Sequence, residues 1–100
     1  MATVSKALFR GAAATSSTTL YTVPASTTTV VTNILVANTA TSSATYDLLL
    51  DDVSIANDVV IGGNDTVSID LKQTLATTKT IKGLASAVTV NFHISGVEIA

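Results

Sequence analysis

Cysteine is absent from the 100-residue chain, which excludes disulfides and cysteine-based zinc sites and leaves the redox compartment open. Tryptophan is absent as well, and the aromatic residues amount to two Tyr and two Phe. None of them interleaves with a basic run, so the stacking platform of a nucleic-acid groove is missing. Charge is scarce: 12% of residues are charged, where about a quarter is usual. Five Lys and Arg stand against seven Asp and Glu, a net charge of −2. No basic block exists to neutralise phosphates, so no nucleic-acid partner is expected. No apolar run reaches 18 residues, the length read as a membrane-spanning helix, so no membrane partner is expected either. The start, Met1-Ala2-Thr3-Val4-Ser5-Lys6, lacks the continuous apolar stretch of a signal peptide.

What fills the chain instead is 47% hydrophobic residues together with 18 Thr and 10 Ser. That hydrophobic share suits one folded domain with one core. A chain this apolar and this weakly charged is not a disordered one. A Thr- and Ser-rich surface that avoids long charged side chains suits close contact with other protein.

Val, Ile and Thr dominate, and β-branched residues fit a pleated sheet better than a helix. Turn signals recur at short spacing, the mark of an all-β sandwich or barrel. Residues 3–10 read as a strand, and the unpatterned stretch 11–19 as a linker, so residues 1–19 form an N-terminal strand or arm and residues 20–100 the sandwich domain. Residues 20–23 are a short strand stopped by Pro24, which lacks the ladder N–H. Residues 28–38 form the longest strand, with Val30, Ile34 and Val36 on one parity and Val31, Leu35 and Ala37 on the other. Apolar residues on both faces mark a central strand or an oligomer interface. Tyr46, Leu48 and Leu50 share the inner parity of residues 44–50. Residues 53–61 read as two pieces broken near Asn57-Asp58, between the turns at Asp51-Asp52 and at Gly62-Gly63-Asn64-Asp65. In residues 66–72, Val67, Ile69 and Leu71 point in. Residues 73–79 read as a loop or one helical turn, and 80–86 as a strand with a bulge at Gly83. In the last strand Val88, Val90, Phe92 and Ile94 share one face, and a bulge at Ser95-Gly96 would bring Val97 and Ile99 into phase. The fold class is all-β: a single antiparallel β-sandwich of about eight strands, jelly-roll-like or immunoglobulin-like.

The residues able to carry chemistry read more simply as structure. His93 is the one histidine, on a polar parity with no nucleophile elbow, and reads as a surface or interface residue. Asp51, Asp52, Asp58 and Asp65 fall at turns, where Asp bonds its own backbone, and no calcium-loop spacing links them. Gly62-Gly63 lacks the lysine and the helix of a phosphate loop. The tripeptide Asn64-Asp65-Thr66 is a chance glycosylation match in a chain this rich in Thr. Tyr21 and Tyr46 read as core or interface anchors. No catalytic, cofactor or metal residue is expected, and the chain is read as not an enzyme.

The segments Leu20-Tyr21-Thr22-Val23-Pro24-Ala25, Val30-Val31-Thr32-Asn33-Ile34 and Asn38-Thr39 resemble small virion structural proteins of tailed bacteriophages. Asn64-Asp65-Thr66-Val67-Ser68-Ile69-Asp70-Leu71, Ile81-Lys82-Gly83-Leu84-Ala85-Ser86 and Ile94-Ser95-Gly96-Val97-Glu98 extend the resemblance over most of the chain. Ser26 stands where a Gly is expected after Pro-Ala. The resemblance implies a capsid decoration (cement) protein on the outer surface of the virion head. Its partners would be the major capsid protein and itself, as a homotrimer. A tail or fibre component with a receptor-binding role is the alternative. A lectin or small enzyme would need a convergent polar pocket, which the sequence does not offer. For attachment to a neighbour, Val4, Leu8, Phe9 and Arg10 are the expected anchors of the arm.

Overall fold

The computed structural model describes residues 3–100 and, among them, eight strands and no helix. They are β1 (Thr3–Ala12), β2 (Thr18–Thr22), β3 (Thr28–Asn38), β4 (Ala44–Leu50), β5 (Val53–Ile61), β6 (Asp65–Leu75), β7 (Thr80–Ala85) and β8 (Val90–Ile99). One sheet has the order β1-β8-β3-β6 and the other β2-β7-β4-β5, all antiparallel. The first strand pairs with the last, the second with the seventh, the third with the sixth and the fourth with the fifth. The chain is thus one long hairpin folded across itself, the jelly roll, and the immunoglobulin alternative drops out.

The core lies between the sheets. Val31, Ile34, Val36, Leu48, Ile61, Ile81, Val90, Phe92 and Ile94 are all but sealed from solvent. Tyr46 meets Phe92 edge to face, with ring centroids 6.3 Å apart at 74°, the favoured arrangement for the ring quadrupoles.

Bulges decide which side chains reach this core. In β3 the extra residue is Thr32, so Thr29 and Val31 point inward before it and Ile34, Val36 and Asn38 after it. Val30 therefore faces outward with Leu35 and Ala37, not with Ile34 as simple alternation predicts. The expected bulge at Ser95-Gly96 is likewise displaced onto the partners of β8: Leu8 is the extra residue of β1 and Thr32 that of β3. β8 itself keeps phase through Gly96, and Val97 faces outward opposite Val30. Val88 lies in the turn before β8 and is 64% exposed.

The same device operates in both sheets. Leu8 from the β1 bulge approaches Gly96, where an added Cβ would lie 2.8 Å from its Cδ1 and 2.5 Å from the Val30 carbonyl oxygen. In the second sheet the bulge residue is Leu20 on β2, not Gly83. A Cβ on Gly83 would lie 3.0 Å from Leu20 Cδ1 and 3.1 Å from the Phe92 ring. Edge strands β1 and β2 thus each send a leucine into the space that a glycine of the adjoining strand leaves open.

Within residues 3–19, β1 runs through Gly11 and Ala12, the connection is confined to residues 13–17 with Ala13 buried, and residues 18 and 19 already belong to β2. The crossing to β2 is held at both sheets, by Ala13 N–H donating to Val90 O (2.8 Å) and Ala85 N–H donating to Ala14 O (2.9 Å). β5 is a single strand, kinked at Asp58, whose φ is 48°. β6 extends to Leu75, which confines the expected loop to residues 76–79.

Candidate interaction surfaces

The strand registers place side chains on the outer face of the first sheet in four cross-strand rows. These are Ser5–Val97–Val30–Thr74, Ala7–Ser95–Asn33–Asp70, Arg10–His93–Leu35–Ser68 and Ala12–Asn91–Ala37–Thr66. The charged side chains of this face are Arg10 on one edge strand and Asp70 and Lys72 on the other. Between them lie small hydroxyl and amide groups around half-buried Val30, Leu35, Ala37 and Val97. Asn33 Nδ2 donates to Asp70 Oδ1 (3.1 Å) and to Ser68 Oγ (3.3 Å), which flattens the row. The whole face is roughly 19 Å wide and 30 Å long at standard strand spacings, or roughly 600 Å². A shallow, open depression at its β6 edge is lined by Thr32, Asp70, Leu71 and Lys72.

The residues expected to anchor an arm do not form one patch. Leu8 is 8% exposed and belongs to the core, and Phe9 packs against the same core. Val4 and Arg10 remain exposed on β1. His93 lies between Arg10 and Leu35 across the ladder, and neither neighbour supplies the nucleophile or carboxylate of a catalytic triad. Among the described residues no three His, Asp or Glu side chains converge as metal ligands.

Of the four aspartates expected at turns, Asp58 lies inside β5 and Asp65 opens β6, while Asp51 and Asp52 sit in a turn for a backbone reason. Asp51 and Asp52 join β4 to β5 with φ of 54° and 59°, the left-handed pair of a tight type I′ hairpin, which Asp tolerates. Lys79 and Lys82 reach them at 3.5 Å and 2.7 Å. In the glycine-bearing turn the left-handed residue is Asn64 (φ 54°), and Gly63 serves a different end: a Cβ there would collide with the Thr41 carbonyl.

Two polar clusters were not legible as such. Asn38 is 2% exposed. Its Nδ2 donates to Ser42 O (2.9 Å) and Gly62 O (3.3 Å), and its Oδ1 accepts from Ala40 N–H and the Thr89 hydroxyl, both at 3.1 Å. One amide therefore ties three loops at one end of the sandwich. At the other end the Tyr21 hydroxyl donates to Glu98 and accepts from buried Thr29 (2.8 Å), while Lys6 donates to the other Glu98 oxygen (3.3 Å). The cluster joins β2 of one sheet to β1, β3 and β8 of the other. Burial, then the bond to Glu98, pushes the Tyr21 hydroxyl up to about 12. The Tyr21 bond, followed by Lys6, holds the Glu98 carboxyl below its ordinary value.

Six exposed large apolar side chains stand out, and Val53, Ile55, Val59 and Val60 among them all belong to edge strand β5.

No family model and no curated protein matches the chain. Among solved structures it is similar to a pentameric capsid protein isolated from metagenomic phage sequences, at 15% identity and a TM-score of 0.39, over 96% of this chain and 59% of that one. The chain thus spans about three fifths of that protein's length.

Proposed function

We propose that this chain is a non-enzymatic structural protein of a tailed-phage virion, a decoration protein that binds the outer surface of the assembled head and contacts the major capsid protein. The observation that carries this reading is the outer face of the first sheet, four strands wide, whose charged members Arg10, Asp70 and Lys72 sit on its two edge strands and leave the centre uncharged. Hydroxyls, amides and short apolar groups can be covered by another protein without stranding ions, which are costly to bury unpaired. One face supplies roughly 600 Å², below the roughly 800 Å² per partner of a stable complex. Stable attachment then calls for several copies acting together, which fits a homotrimer better than a lone chain. The mechanism is mass action: a protein that binds the assembled shell and not its free subunits stabilises the shell.

The test is to mix purified protein with undecorated heads and image the particles. Density over the head at a copy number comparable to the major capsid protein supports the reading. A few copies confined to the tail overturn it in favour of a tail or fibre role. Leu35→Lys, in the centre of the face, is expected to abolish attachment while leaving the far-ultraviolet circular dichroism unchanged.

A further inference from the structure

The two open sides of the sandwich differ in sign and in polarity. The contacts of β1 with β2 and of β5 with β6 stack the four sheet edges into two opposite sides. The β1/β2 side carries Lys6 and Arg10 and no acid. The β5/β6 side carries Asp58, Asp65 and Asp70 against Lys72. Among the described residues, the ion pairs engage none of Arg10, Asp58, Asp65 and Asp70. The acidic side also holds the exposed apolar stripe, with Val53 at 66% and Val60 at 67%.

An exposed apolar edge strand is a liability that soluble proteins blunt with lysine or proline. β5 contains neither; Asp58 and its bulged register guard it against strand pairing but leave its apolar side chains uncovered. We infer that the β5/β6 side of one copy is covered by the β1/β2 side of a second copy, in a head-to-tail contact. The occupant follows from charge: Arg10 faces the unpaired aspartates, and Val4 adds apolar surface to the β5 stripe. A two-fold contact of β5/β6 sides would instead set acid against acid. The kink at Asp58 and the irregular β4–β5 register make this a contact of side chains rather than one continuous sheet. Each side is roughly 30 Å by 18 Å, so one contact buries roughly 1,000 Å² in total, at the threshold of a specific interface. Every copy in a head-to-tail assembly uses both sides, so closure into a ring multiplies the contacts. The inference deepens the self-association in the reading above, and it stands whether or not the assembly binds a shell.

The test is the mass of the full chain by sedimentation, for the wild type, Arg10→Glu and Val60→Lys. All three are expected to fold alike, because both positions are exposed; Val53→Lys repeats the β5 test should Val60→Lys fold poorly. The wild type is expected to exceed the 10.2 kDa of one chain. Each variant alone is expected to be monomeric, its dissociation constant raised about tenfold or more. Mixing Arg10→Glu with Val60→Lys is expected to restore association, because each supplies the side the other lacks. A monomeric wild type, an Arg10→Glu protein that still associates, or a mixture that stays monomeric would overturn the inference. Loss of shell binding with association intact would fail the proposed function alone.

Discussion

Ser26 holds a φ of 55° in the turn after Pro24, at the position where the sequence pattern asks for glycine. A side chain in that region costs roughly 1–2 kcal/mol, and glycine returns part of the gain through its looser unfolded chain. Ser26→Gly is therefore expected to raise stability by about 0.5 kcal/mol, a few degrees in the thermal midpoint. Asn38 presents the opposite case. Its amide meets four partners from three loops, and truncation leaves several of them buried and unpaired. Asn38→Ala is expected to cost about 2–3 kcal/mol in chemical denaturation, while the conservative Asn38→Asp keeps the acceptor and loses the two donated bonds.

Among the strands, the leucine–glycine pairs set the sheet edges. Gly96→Ala drives a methyl group against the Val30 carbonyl and Leu8 and is expected to destabilise by about 1–3 kcal/mol. Adding Leu8→Ala should not rescue it, because the carbonyl cannot move aside as a side chain can. The Tyr21–Glu98–Lys6 cluster predicts a pH profile. Glu98 titrates below its ordinary value, so its contribution is complete above the usual carboxylate range and is lost as pH falls through the folded value. Tyr21 titrates at about 12 instead of 10, so its contribution is complete below pH 10 and is lost as pH rises towards 12. Thermal midpoints measured across pH should fall at both ends, and Glu98→Gln should flatten the acid limb. Strands with strict alternation, such as Thr45-Tyr46-Asp47-Leu48 in β4 and Val67-Ser68-Ile69 in β6, were legible because parity alone fixes their faces. The phase of β3 across Thr32 and that of β8 beyond Ile94 were not. A bulge is set by which strand lies alongside, and that partner is distant in sequence.

The topology of the whole molecule was hidden for the same reason: pairing the first strand with the last leaves no local mark. A radius of gyration of 13.4 Å is what a chain of this length gives when folded as one unit. Removing residues 1–12 takes Leu8 and Phe9 from the core and strips β8 of its edge partner. Calorimetry should then show no cooperative transition, whereas Arg10→Glu should melt like the wild type. Loss of shell binding on truncation would consequently report unfolding, and the point variants carry the functional question.

The register sets Thr3 beside Ile99. An insert joined at Thr3 or at Ile99 therefore departs from the same corner of the molecule. A short peptide linking Thr3 to Ile99, with the backbone opened between Thr39 and Ser43, would yield a permuted chain with the same strand pairings, and two cargoes fused at these positions would be displayed side by side.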